Sequence, residues 1–133
     1  MKINRKKAAG VMAGLALLGV TGAAPAHAAE GQFESYLSGW NPGQESRRWY
    51  DNNNTGDYTG IYFQGCSAGH DFSFARLSLW VDRPSLPDSH KGTENNYCGW
   101  VDYGNPGRGT FYFKMDDVLN GYPLNVDYVK VAW

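Results

Sequence analysis

The sequence predicts an all-β protein: a single antiparallel β-sandwich of about seven to eight strands, formed after removal of a signal peptide. Three observations support this. Apolar and polar residues alternate over short runs, clusters of turn formers separate those runs, and no segment repeats apolar residues at helical spacing.

The chain opens with a basic stretch, Met1 to Lys7, followed by an apolar run from Ala8 to Ala24 and the small-residue sequence Ala26-His27-Ala28. That order is the pattern of a secretory signal peptide, so residues 1–29 are read as the signal and residues 30–133 as the β-sandwich domain, secreted and extracellular. In the first strand, Phe33, Ser35 and Leu37 alternate with Glu34 and Tyr36, and Asn41-Pro42-Gly43 ends it. A second turn, Asn52 to Gly56, precedes Thr59, Ile61 and Phe63, which alternate with Tyr58, Gly60 and Tyr62. The clearest strand is Ala75 to Val81, with Ala75, Leu77, Leu79 and Val81 on one face and Arg76, Ser78 and Trp80 on the other. Turns at Pro84 to Pro87 and Asn105-Pro106-Gly107 frame the middle of the chain. Phe111, Phe113 and Met115 then oppose Tyr112 and Lys114, and Asp116 to Gly121 is compatible with a single helical turn. Leu124 to Trp133 reads as a last, buried edge strand, so C-terminal truncation is expected to be poorly tolerated.

A mature chain of 104 residues is one domain with one core. It keeps all 13 acidic residues but only 8 of the 12 Lys and Arg, because Lys2, Arg5, Lys6 and Lys7 belong to the signal. The resulting charge near −5 argues against nucleic acid as a partner, which needs clustered Lys and Arg. The mature part also lacks an apolar run long enough for membrane insertion. Its only cysteines, Cys66 and Cys98, are expected to form one disulfide in an oxidising compartment.

The supply of catalytic groups is thin. The mature part has two histidines, His70 and His90; Ser67 lies near the first, and Asp88-Ser89-His90 places triad residue types side by side. Neighbours on a strand point to opposite faces, and neither a nucleophile elbow nor a paired-histidine zinc spacing is present. A glycosidase needs two carboxylates across a cleft, for which so short a chain leaves little material. The sequence is therefore read as non-enzymatic, with no catalytic residues and no cofactor. Asp51, Asn53, Thr55 and Gly56 resemble the opening of a calcium loop, but the position of its closing bidentate acid falls on Tyr62. A plain Asn/Gly turn explains the segment better, and no metal site is assigned.

All 20 aromatic residues lie in the mature part. Trp40, Trp49, Tyr50, Trp80, Tyr97, Trp100 and Tyr103 sit beside turns or opposite aliphatic faces, where rings anchor protein interfaces or stack on sugars. The candidate binding residues are Trp40, Arg47, Arg48, Trp49 and Trp100.

Ser38-Gly39-Trp40, Glu45-Ser46-Arg47-Arg48-Trp49, the Asn-rich turn, Gly65-Cys66-Ser67 and the closing strands around Gly109 to Phe113 and Val129 to Trp133 together resemble a group of small secreted actinobacterial β-sandwich proteins. The likeness covers most of the mature chain, and its motifs are structural. Within that group, size and export also resemble the small adaptor subunit of umbrella-shaped toxin particles, which joins a stalk-bearing polypeptide to a lectin-bearing one. The resemblance implies an assembly role, exercised through a sheet edge or the extension from Glu30 to Tyr36. A weaker likeness to βγ-crystallin sandwiches lacks their paired calcium loops. The reading is a secreted protein–protein adaptor in an extracellular complex, with another secreted protein as partner. The alternatives are a carbohydrate-binding module that takes a glycan, or a small antimicrobial or inhibitor protein.

Overall fold

The computed structural model describes residues 30–133; the signal peptide read in residues 1–29 lies outside the described residues. The described chain contains eight strands and no helix: β1 (Gln32–Trp40), β2 (Trp49–Asp51), β3 (Gly60–Ser67), β4 (Ala75–Val81), β5 (Ser89–Asn96), β6 (Trp100–Asp102), β7 (Gly109–Val118) and β8 (Leu124–Ala132). They form two four-stranded antiparallel sheets, ordered β1-β8-β3-β6 and β2-β7-β4-β5. The protein is the expected β-sandwich.

The alternating residues supply the core. Ile61, Phe63, Val126, Val129 and Val131 of the first sheet face Leu77, Leu79, Phe111, Phe113 and Met115 of the second, all buried. Each such side chain contributes roughly 1.5–3 kcal/mol by leaving water. Tyr103 reaches across from the β6–β7 connection, its hydroxyl donating to Leu77 O at 2.9 Å. Cys66 on β3 is bonded to Cys98 in the β5–β6 turn, with a Cα–Cα distance of 6.0 Å. That turn is held by buried Asn96, whose Oδ1 accepts from the Cys98 and Gly99 amides at 2.8 and 3.0 Å. The disulfide is compatible with an extracellular protein.

Two sequence expectations are corrected. Asp116 to Gly121 forms no helical turn: Asp117 pairs with Arg76 and buried Val118 with Ala75, which extends β7 to Val118 before the chain turns at Asn120 and Gly121, both at positive φ. The last strand is not an edge. β8 lies between β1 and β3, so both of its backbone edges are hydrogen-bonded. The edges of that sheet are β1, from the other end of the described chain, and the three-residue β6.

Candidate binding site at the paired sheet edges

β1 ends one sheet and β2 ends the other, and the chain between them follows the same side of the sandwich. Short of β2, Gly43 N donates to Met115 O at 2.8 Å, Met115 N to Gln44 O at 3.0 Å, and Ser46 N to Phe113 O at 2.8 Å. Residues 43–46 thus lie along β7 as an extra edge segment, with Glu45 bridged to Lys114. Turn chemistry places them there, since Gly43 has a φ of 96° and Gln44 Oε1 accepts from Asn41 N. Ser46 Oγ accepts from Phe113 N and lies 2.9 Å from Arg47 O, to which it donates, fixing the backbone that carries Arg47.

Between this segment and β1 is an open groove of about 110 Å³, lined by Phe33, Tyr36 and Trp40 on one side and Glu45 to Arg47 on the other. Its floor reaches the core at Phe113 and Val129. Trp40 lies 5.8 Å from Phe113, centroid to centroid, and is only partly buried. The Arg47 guanidinium lies 4.7 Å over the Phe33 ring. Glu45 is paired with Arg48 at 3.0 Å, whereas Arg47 makes no ion pair among the described residues. Tyr36, 68 % exposed, stands at the rim.

The candidate residues therefore separate. Trp40 and Arg47 both line the groove, Trp40 packed on Phe113 and Arg47 over Phe33. Arg48 turns to the outer face of the second sheet, where it covers Tyr112 at 3.8 Å and pairs with Glu45 and Asp82. Trp49 offers no surface, which corrects its reading as a binding anchor. It is 5 % exposed and stacks on Phe111 and Trp133 at 6.1 and 5.9 Å, because β2 turns it inward at a hydrophobic sheet edge. Trp100 lies across the sandwich on β6, 5.1 Å from Tyr62 and against Gly60, where a Cβ would come within 3.2 Å of its ring. Tyr128 continues that row 6.1 Å from Tyr62, its hydroxyl pushed up to about 12 by burial and by the neighbouring Glu34 carboxylate.

Phe33 and Tyr36 were implied only as part of the Glu30 to Tyr36 extension, and Glu45, Tyr62 and Tyr128 were not candidate binding residues. Tyr36 was signalled by its position opposite Phe33 and Leu37, but the meeting of β1 with residues 45–47 depends on long-range topology.

The other sequence motifs resolve into local structure. His70 and His90 are both exposed. His90 packs 5.0 Å from Trp80, with Nε2 2.8 Å from Thr93 Oγ1, whereas Asp88 accepts from Tyr112 Oη and Arg83 N, and its carboxyl is held below the ordinary range by the Tyr112 bond. Asp51 Oδ1 accepts from Asn53 N at 2.7 Å, and Thr55 N donates to Glu30 Oε2 at 2.8 Å. The Thr55 hydroxyl lies 2.7 Å from Asp57 Oδ2 and 3.0 Å from Glu30 Oε2. No group of three or more His, Cys, Asp or Glu side chains arranged to hold a metal ion occurs among the described residues. Burial, reinforced by the Glu30 and Asp57 charges, raises the Asp51 carboxyl above its ordinary value.

Comparison with protein families, curated proteins and solved structures found no match to this chain.

Proposed function

We propose that this protein is a secreted, non-enzymatic binding and assembly module that acts as an adaptor between proteins, with the groove between β1 and residues 45–47 as its contact surface. The observation that carries this reading is the presence of both Trp40 and Arg47 in the lining of one half-open cleft whose floor reaches the core at Phe113 and Val129. Trp and Arg are the residue types that dominate interface energetics, through large contact area and through charge-assisted hydrogen bonds. Arg47 is held in place by the Ser46 backbone anchor and by the Phe33 ring, so less side-chain freedom is lost when a partner binds. The Cys66–Cys98 bond and the signal-like residues 1–29 support an extracellular setting. The test is capture of a stoichiometric protein partner from the culture supernatant, compared between the wild-type protein and groove variants.

A second reading is favoured by a different observation. Tyr62, Trp100 and Tyr128 form a row on the outer face of the first sheet, at ring separations of 5.1 and 6.1 Å, beside Gln64 and Lys130. Rings interspersed with hydrogen-bonding side chains suit the alternating C–H and O–H surface of a sugar. Retention on cell-wall polysaccharide that is lost in Trp100→Ala would favour glycan binding over the adaptor role.

A further inference from the structure

We propose that the outer edge of β1 is a strand-addition site. It takes an extended segment of another polypeptide, which seats an apolar side chain in the groove between Phe33 and Trp40 and a carboxylate on Arg47. This rests on reading the groove as a protein-binding surface, and it assigns the partner's chemistry.

Hydrogen-bond parity along β1 is the first support. Gly31 N donates to Trp133 O and Trp133 N to Gly31 O, both at 3.0 Å, so these two residues form a hydrogen-bonded pair. In an antiparallel ladder such pairs alternate with pairs that exchange no bonds. The register runs without interruption from Gln32↔Ala132 to Ser35↔Val129. Gln32 and Glu34 therefore direct their N–H and C=O groups away from β8. β1 is the outermost strand of its sheet, and no other backbone group among the described residues bonds to Gln32 or Glu34. An incoming strand would find two donors and two acceptors at the spacing of a sheet ladder.

The other long sheet edge is guarded. β5 reads Ser-His-Lys-Gly-Thr-Glu-Asn-Asn, and its register with β4 slips between Leu79 and Trp80, opposite Gly92 and His90. Lysine, polar composition and an irregularity are the devices that keep sheet edges from pairing. The regular part of β1, Gln32 to Ser35, has neither lysine nor proline, and its irregularities begin only after Ser35.

Charge selects the occupant. Arg48 already neutralises Glu45 at 3.0 Å, which leaves Arg47 as the groove's uncompensated cation among the described residues. A carboxylate on the added strand would meet the guanidinium in a charge-assisted bond. The groove, about 110 Å³ and bounded by β1 on one side and residues 45–47 on the other, admits a side chain and not a folded element. A strand that alternates in and out of the sheet plane delivers one such side chain at the right place.

The experiment selects a phage-displayed library of random dodecapeptides on the immobilised protein and measures the affinities of enriched sequences as synthetic peptides. Glu34→Pro removes an N–H that points away from β8, so it blocks the edge without removing a ladder bond, and edge strands accept proline. Arg47→Glu reverses the charge without touching the backbone and serves if Glu34→Pro fails to fold. The expected peptides alternate apolar and polar residues around a carboxylate, and either variant weakens them about tenfold or more, while Gly99→Ala, where an added Cβ meets nothing within 4 Å, leaves them unchanged. The proposal is overturned if no peptide enriches, if the enriched peptides lack a carboxylate, or if they bind the folded variants as tightly as the wild type. It is equally overturned if the edge is taken by a second copy, seen as a dimer that Glu34→Pro dissolves. If these peptides fail while a protein captured from supernatant still depends on Trp40, strand addition falls and the adaptor reading stands.

Discussion

Gly31 and Trp133 exchange both backbone hydrogen bonds at 3.0 Å, and a Cβ at Gly31 would lie 2.5 Å from the Trp133 indole. The indole in turn lies 5.9 Å from Trp49 and 6.3 Å from Phe33, so this one pair ties the start of β1 to the sandwich edge and is in register with the pairs that follow as far as Ser35. Gly31→Ala must displace that ring, and overpacking of this kind costs about 1–3 kcal/mol. Gly99, where nothing lies within 4 Å of an added Cβ, is the control, and Gly99→Ala is expected to change stability by less than about 0.5 kcal/mol. Urea denaturation of both variants distinguishes them.

The same register makes a prediction about exchange. Amides that face β8 are protected and those that face outward are not, so Phe33 and Ser35 should exchange slowly and Gln32 and Glu34 quickly, as read by hydrogen exchange in NMR spectra. Uniform protection from Gln32 to Ser35 would mean that the edge is already covered.

The disulfide joins β3 to the β5–β6 turn across a sequence separation of 32 residues. In the chain-entropy model its removal lowers stability by roughly 3–4 kcal/mol. Replacing Cys66 and Cys98 together by Ser should therefore reduce the urea midpoint while leaving the β-type circular dichroism intact. The unreduced protein should weigh about 2 Da less than its fully reduced form.

The strands that carry the core were legible because burial on one face imposes a period of two. Ala75 to Val81 and Phe111 to Met115 are the clearest examples, and the structure places their alternate residues inside. β5 escaped notice because it buries only Asn96 fully and reads as a polar segment, and β2 and β6, at three residues each, are too short for a period to emerge. Strand order was not legible at all. Nothing local in Leu124 to Ala132 distinguishes a central strand from an edge, since that depends on which strands close on it from elsewhere in the chain. Trp49 was misplaced for a related reason: its proximity to turns suggested exposure, but Phe33 of β1 and Trp133, just after β8, lie over it. Of the groove, Trp40 and Arg47 were identified from sequence and the resemblance pointed to a sheet edge or the Glu30 to Tyr36 extension, while the meeting of β1 with residues 45–47 required the fold.

Asp51 gives a pH prediction. It is 1 % exposed, and its folded-state pKa is raised, chiefly by desolvation. The fold therefore holds this proton more tightly than the unfolded chain does, and stability falls as pH rises from the ordinary carboxylate pKa through the folded one. Asp51→Asn keeps an acceptor for the Asn53 amide and removes the charge. Its melting temperature should exceed that of the wild type at pH 7, and the difference should vanish below about pH 3, where the carboxyl is protonated in both states. Calcium should leave the wild-type melting temperature unchanged, because Asp51, Asp57 and Glu30 each have a protein donor within hydrogen-bond distance. A calcium-dependent rise that Asp51→Asn abolishes would reveal a metal site.

The most direct test of the adaptor reading is quantitative capture from culture supernatant on the immobilised protein, with circular dichroism confirming that each variant is folded. Wild-type protein, His70→Ala/His90→Ala and Trp100→Ala should each retain one protein in stoichiometric amount. Trp40→Ala and Arg47→Glu should each reduce retention about tenfold or more, as expected for interface anchors, whose loss costs about 2 kcal/mol. Full retention by both groove variants, loss of retention in the double histidine variant, or retention of polysaccharide alone through Trp100 would contradict the account.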